Sequence, residues 1–227
     1  MEKNLAVHRT RQENLRLHRE LTKTLEELRS KNKQLEDAVT QLQAIAATDP
    51  LTGLANRRAI DLALEQLYTQ CYRYNRDLAC IMIDIDGFKQ YNDALGHQCG
   101  DQLLIQLARV LEANCRRADV AGRFGGDEFI VLLPETDSST ARLVAKRIAE
   151  QFELGWDAVR HKGGPPVRCS LSMGLACLRL AGASAAEQLL MQADQALYYA
   201  KSTGKGRLCV FNPAPPGTFG CAFARGD

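Results

Sequence analysis

The sequence predicts an α+β fold of the ferredoxin-like type, a βαββαβ sheet with helices on one face, preceded by a long N-terminal helix. Three observations point there. An apolar run from Leu78 to Ile83 ends in acidic residues, two adjacent glycines at 125 and 126 separate two β-type segments, and helical periodicity fills the intervals between strands. In chain order the globular part reads helix, strand, helix, helix, strand, strand, helix, strand, helix, strand.

From about residue 10 to 46 there is neither Gly nor Pro, and Leu21, Leu28, Leu35 and Leu42 recur every seven residues. With these at heptad position d, His18, Leu25, Asn32, Val39 and Ala46 fall at a, the pattern of a short coiled coil. A single Asn at a with Leu at every d favours a parallel two-stranded register, because two Asn side chains pair only when level. Lys31 at g and Glu36 at the next e carry the opposite charges that this register wants. Residues 1–46 are therefore expected to be a stalk joining two copies, in a homodimer or a higher oligomer built from it. A lone amphipathic helix lying along its own domain is the simpler alternative. Arg11 and Asn14 interrupt the seam upstream, so Leu5, Leu15 and Leu17 are left for a regulatory protein to grip.

Pro50 and Gly53 break the helical pattern, and Asp49 to Arg58 reads as a wide turn at the entrance to a globular domain spanning 47–211. Helical spacing resumes through Ile60, Leu62, Leu64 and Leu67. Leu78 to Asp86 reads as a central strand, apolar on both faces, whose terminal Asp84 and Asp86 project from the same face. Carboxylates at the end of a buried strand are costly to keep charged without a cation, although capping the next helix is their ordinary use. A short helix and a Gly-bounded loop lead to a long helix from Gln102 to about Arg116, with Asp101 placed to cap it.

Val120 to Phe124 and Phe129 to Leu133 read as the arms of a hairpin, and Gly125 and Gly126 can both take the positive φ of a tight turn. Asp127 and Glu128, between turn and strand, would be rigidly held with their oxygens accessible, as a divalent cation over a polyphosphate requires. Thr140 to Leu154 is amphipathic, Val167 to Leu178 reads as a strand and Ala185 to Ser202 as a helix. Leu208 to Phe211 is a short strand, and residues 212–227, rich in Pro and Gly, are expected to be a flexible tail.

The 227 residues suffice for one domain and an extension, and 45% hydrophobic residues suffice for its core. Twenty-nine basic residues against 27 acidic ones leave a charge of +2, so a general nucleic-acid binder is not expected. The eight cysteines include no C-x-x-C pair and several sit in apolar runs, which suits small buried hydrophobes in a reducing cytosol. No apolar stretch approaches the ~20 residues of a membrane span, and no signal peptide is evident, so a cytoplasmic protein is expected.

Four segments together resemble the GGDEF-domain diguanylate cyclases, which join two GTP molecules into cyclic di-GMP. Asp49 to Arg58 is similar to the family's D-x-L-T-G-L-x-N-R entrance and Asp84 to Asp93 to its D-x-D-x-F-K-x-x-N-D segment. Gly96 to Asp101 is similar to G-H-x-x-G-D, and Gly125 to Phe129 is the signature pentapeptide unchanged. The resemblance implies a nucleotide-cyclase-like sheet over roughly 47–211. It implies Asp84, the Ile85 carbonyl, Asp127 and Glu128 as the holders of Mg²⁺, with Mn²⁺ as a substitute, two ions per half-site. Asp127 and Glu128 become the catalytic carboxylates, with Asp127 either a ligand or the base that takes the proton.

The resemblance also implies that Asn92 and Asp101 bind the guanine edge. An Asp acceptor suits guanine's N1 and N2 donors and would find no such pair on adenine. Lys89, Lys201, Lys205 and the backbone of Gly125 and Gly126 would hold the GTP phosphates, with Lys201 and Lys205 facing one way if their helix continues. Lys205 stands where the family often has Arg, replacing a bidentate fork by a point charge. Arg116 and Asp119 match an inhibitory R-x-x-D site for the cyclic di-GMP product, with Arg123 as a further contact. Since each domain would hold one GTP, catalysis needs two domains face to face, which gives the stalk its use. The rival readings are a catalytically silent cyclic di-GMP receptor and an interaction protein acting through its stalk.

Overall fold

The computed structural model describes residues 16, 18–19, 21–34, 47–159, 168–212 and 218–222. They fall into two units divided after Ala46. In the first, the described residues between 16 and 34 are helical (α1). Leu21, Leu25 and Leu28 are 57, 47 and 53% exposed along it, so this part of the heptad seam is bare on the single chain. His18 and Asn32 are likewise exposed on α1, whereas heptad positions Leu35, Val39, Leu42 and Ala46 lie outside the described residues, as do Leu5, Arg11, Asn14, Leu15 and Leu17.

In the second unit the architecture follows from one strand. Along β2 (Leu78–Asp86), Ala79, Ile81, Ile83 and Ile85 enter one apolar cluster, whereas Leu78, Cys80 and Met82 enter another. Each fully buried aliphatic side chain contributes roughly 1.5–3 kcal/mol, so a strand apolar on both faces needs two covering layers. One layer is α3 (Phe88–Leu95), α4 (His97–Asn114) and α5 (Ser138–Val159). The other is α2 (Arg57–Arg73), α6 (Leu178–Ala181) and α7 (Ala186–Ser202). The expectation of helices on one face is thereby corrected: the double-sided apolarity of β2 already demanded the second layer.

The remaining strands are β1 (Ala55–Asn56), β3 (Val120–Gly125), β4 (Glu128–Pro134), β5 (Ser170–Cys177), β6 (Leu208–Asn212) and β7 (Thr218–Ala222). They pair in the order β1-β3-β4-β2-β5-β6-β7. The inner four, β3-β4-β2-β5, with α4 and α5 as crossovers, are the ferredoxin-like βαββαβ unit, flanked by additions at both edges. One addition overturns an expectation: within the supposed flexible tail, Thr218–Ala222 pairs antiparallel with β6, Leu208 opposite Ala222.

α7 lies hard against β5. A Cβ at residue 174 would stand 2.1 Å from the Ala193 carbonyl oxygen and 2.2 Å from the Leu197 nitrogen, so only glycine fits there. One turn beyond Leu197, this contact fixes where Lys201 emerges. Five of the cysteines are buried, and burial pushes the thiols of Cys169 and Cys177 up to about 12, which keeps them protonated and inert. Among the described residues no helix is long and apolar enough to cross a membrane.

Candidate active site

The hairpin at the centre of the site is built differently from its sequence reading. Gly125 closes β3 opposite Glu128, after a bulge that follows Arg123, and the two turn residues are Gly126 and Asp127. Only Gly126 has positive φ (48°); Gly125 does not. The bulge lets β3 end in register with Glu128 while Asp127 sits at the tip.

Across the sheet, Glu128 is directly opposite Asp84 on β2, so the two side chains share a face. Asp84 is 7% exposed. Its Oδ2 accepts a hydrogen bond from Lys201 Nζ at 2.6 Å. Burial, with Asp127 and Asp86 nearby, raises the Asp84 pKa in spite of that lysine. The Lys201 pKa is raised too: burial opposes this, but the hydrogen bond to Asp84 and the charges of Asp84, Glu128 and Asp127 outweigh it. Burial is the main cause for Asp84 and the neighbouring acids add to it, whereas for Lys201 the same acids outweigh burial. Among the described residues no three acidic, His or Cys side chains are close enough together to hold a metal as they stand. The donors nevertheless suit a hard divalent cation, being carboxylate oxygens with a lysine ammonium already seated among them as a stand-in. The Ile85 side chain lies in the core, so this residue can offer only its carbonyl.

Asp86, two residues on, has another fate. Its Oδ2 accepts from Ser170 Oγ (2.7 Å) and from the Gly206 N–H (2.9 Å), and its Oδ1 from Ser172 Oγ (2.8 Å). Neither acid caps α3, whose N-cap is Gly87 with no side-chain hydrogen bond. The capping explanation therefore fails for both. Asp86 ties β2, β5 and the turn after α7 together, and a pair of serines two apart in an otherwise apolar strand was the available signal.

Capping also fails for Asp101. α4 starts at His97 rather than Gln102, so Asp101 is an exposed residue in its second turn. Asn92 of α3 is packed against the same turn: its Oδ1 lies 1.8 Å from where a Cβ on Gly100 would be. That Oδ1 is buried with no hydrogen-bond partner, an acceptor left for a ligand's donor. Lys89 is exposed on α3. Lys205 does not continue α7, which ends at Ser202; it sits in a left-handed turn with φ 62°. The expected i, i+4 helical pairing of Lys201 with Lys205 is thus replaced by a turn held through Gly206 and Asp86.

At the opposite end of β3, Arg116 and Asp119 close a turn on each other. Asp119 Oδ2 accepts from the Arg116 N–H (2.7 Å) and the Asp119 N–H donates to the Arg116 carbonyl (3.0 Å). The Arg116 side chain is exposed. Arg147 of α5, absent from the sequence reading, grips the buried Asn114 just before this turn, donating to its Oδ1 and, at 3.2 Å, to its carbonyl. Arg123 does not project freely toward that site. It donates to the Gly126 carbonyl through Nε (2.9 Å) and Nη2 (2.7 Å), and its Nη1 lies 3.4 Å from Asp49. Asp49 in turn accepts from the Thr52 N–H (2.9 Å) and hydroxyl (2.7 Å). The entrance motif is thus bolted to the hairpin, and β1 pairs parallel with β3 beside it.

One end of a ferredoxin-like sheet thus gathers carboxylates around Lys201, and the unpartnered Asn92 Oδ1 lies on the helix that follows β2. Sequence comparison gives the family: the model for "Diguanylate cyclase, GGDEF domain" matches residues 46–207, and the chain belongs to this family. It is 41% identical over 165 residues to the diguanylate cyclase DgcP of Pseudomonas aeruginosa, covering 73% of this chain and 24% of that one. The chain spans about a quarter to just under half of the leading curated relatives. Its fold resembles the coiled coil and GGDEF domain of DgcB from Caulobacter crescentus, solved with cyclic di-GMP (TM-score 0.65, 27% identity, 84% of this chain and 98% of that). It also resembles the diguanylate cyclase SiaD of Pseudomonas aeruginosa, solved with its activator SiaC (TM-score 0.64, 30% identity, 92% and 77%).

Proposed function

We propose that this chain is one half of a cytoplasmic diguanylate cyclase. The observation that carries the reading is the convergence of Asp84, Glu128 and Lys201 at one end of the sheet, with Asp127 at the adjoining turn. In each of two equivalent steps the 3′-oxygen of one GTP bonds to the α-phosphorus of the other. The bond from that phosphorus to the bridging oxygen breaks, pyrophosphate leaves, and the hydroxyl proton passes to a base. Asn92 and Asp101 accept hydrogen bonds from the guanine edge. Lys89, Lys201 and Lys205 bind phosphate oxygens, and the Gly125–Gly126 backbone leaves room for them. Asp127, at the tip of the hairpin, would either take that proton or serve only as one of the carboxylates that hold the metal. Asp84, the Ile85 carbonyl, Asp127 and Glu128 would hold Mg²⁺ or Mn²⁺, which when bound lowers the hydroxyl pKa and takes up charge on the leaving group.

One half-site cannot react alone, so the stalk would bring the second copy by parallel pairing and raise its effective concentration. The bare leucines of α1 support this, as does the coiled coil named in the DgcB structure. A partner protein gripping the upstream end would then regulate activity, as SiaC is the activator of SiaD. Product would inhibit through Arg116 and Asp119, where Arg supplies a planar fork for phosphate or guanine.

Incubation of the purified protein with GTP and Mg²⁺ tests the main reading: the wild type yields cyclic di-GMP and pyrophosphate, and Asp127→Ala yields neither. Nucleotide binding without turnover by the wild type would instead leave a receptor. For inhibition, wild-type progress curves bend as product accumulates while those of Arg116→Ala stay linear. Identical curves, with no product bound to either protein, would remove that part.

A further inference from the structure

We propose that Lys201 is the resident cation of the metal-free site, and that a divalent ion enters only together with a polyphosphate that gives the lysine ammonium somewhere else to go. The inference rests on the reading of Asp84, Asp127 and Glu128 as the metal seat. Lys201 Nζ is 2.6 Å from Asp84 Oδ2, and the carboxylates of Glu128 and Asp127 act on the same ammonium. The lysine is therefore where positive charge is wanted. Asp86 cannot serve as its substitute partner, being filled by Ser170, Ser172 and Gly206. Asp84 is the strand-end acid whose partner can leave.

The two sides of the pair are unequally free. Asp84 is 10% exposed in its side chain and sits in the central strand, whereas Lys201 is 35% exposed and hangs on a flexible four-carbon stem from the last turn of α7. Removing the lysine would leave a buried carboxylate unpaired, which is strongly unfavourable unless another cation replaces it. A free divalent ion must therefore displace an intramolecular partner. A metal–triphosphate complex also brings phosphate oxygens that receive the displaced ammonium. Lys201 thus discourages bare metal and favours metal delivered with nucleotide.

The decisive measurement is binding, not turnover. Mn²⁺ alone is titrated into wild type, Lys201→Met and Lys201→Gln, with bound ion read by electron paramagnetic resonance. Mn²⁺ with a GTP analogue carrying CH₂ between the α and β phosphorus atoms is then titrated by calorimetry. Both variants are expected to bind free Mn²⁺ at least about tenfold tighter than wild type, and the Mn²⁺–analogue complex about tenfold weaker. Using two neutral replacements keeps a packing defect in one from deciding the result. Equal or weaker binding of free Mn²⁺ in both variants overturns the proposal. If the gain persists when Asp84→Asn is added, the ion is not at this seat and the underlying site assignment falls with it. If wild type fails to bind the analogue, the cyclase reading fails while the free-ion comparison still tests the lysine.

Discussion

Two carboxylate–cation pairs flank the hairpin, and they are opposites. Asp49 and Arg123 are both 18% exposed, 3.4 Å apart, and each has further partners, Thr52 for the acid and the Gly126 carbonyl for the guanidinium. Burial alone would raise the Asp49 pKa, but the Thr52 hydrogen bonds and Arg123 together bring it below the usual value. Asp84 and Lys201 are closer, at 2.6 Å, yet Asp84 moves the other way, raised by burial and by neighbouring acids that one lysine does not offset. The shorter ion pair is the less satisfied one. The Asp49 pair is a bolt, and the Asp84 pair is a socket with a temporary occupant.

The sharpest break of this contrast is Asp84→Asn. If Asp84 holds the metal it contributes several kcal/mol to the transition state, so cyclic di-GMP formation should fall about 10³-fold or more, while the urea midpoint should move little. Two linkage effects oppose each other. The raised folded-state pKa of Asp84 means that its ionised form burdens the metal-free fold at neutral pH, whereas the raised pKa of Lys201 means that the lysine loses a favourable partner in the variant. A fall in the urea midpoint as large as that of an Asp49 variant would make the two pairs the same kind of object. Next comes Gly174→Ala, which acts on the socket through its frame. Its Cβ would meet backbone of α7 at 2.1 Å, and overpacking of this kind costs roughly 1–3 kcal/mol. Urea denaturation should show that loss, and activity should fall with it because α7 carries Lys201. Lost stability with unchanged turnover would show that Lys201 does not depend on this contact.

The socket was more legible in the sequence than the bolt. Asp84, Asp127 and Glu128 could be marked because strand-end acids and a Gly-Gly hairpin are local patterns, whereas Lys201 was marked only through the family resemblance. Asp49 and Arg123 are 74 residues apart, and nothing in either segment announces the other. Asp86 was little more legible: its partners Ser170 and Ser172 lie on β5, and Ser172 donates to Asp86 although the register sets it opposite Asp84, so the serine pair signals a polar partner without saying which acid it serves. The inner ferredoxin-like unit followed from strand and helix order. The second helical layer did not, although the even and odd positions of β2 are both apolar. Thr218–Ala222 was hidden because its Pro- and Gly-rich surroundings read as a tail, and an edge strand needs only one neighbour to pair with.

The smallest expected effect tests the bolt itself. Asp49→Asn keeps the shape of the side chain and an acceptor for Thr52, but removes the charge that Arg123 faces, so a loss of about 1–2 kcal/mol in unfolding free energy is expected at neutral pH. Because the folded-state pKa of Asp49 is depressed, its contribution is complete above the unfolded aspartate value of about 3.9 and disappears as pH falls through the folded value. The stability gap between wild type and Asp49→Asn should therefore be constant from about pH 5 upward and close below about pH 4, read by urea titration at each pH. Turnover should fall less than about tenfold, since Arg123 still holds the Gly126 carbonyl through two donors. A pH-independent gap would mean that Asp49 acts by shape rather than charge. A loss of activity as deep as that of Asp84→Asn, with stability intact, would move Asp49 from the frame of the hairpin into the reaction itself.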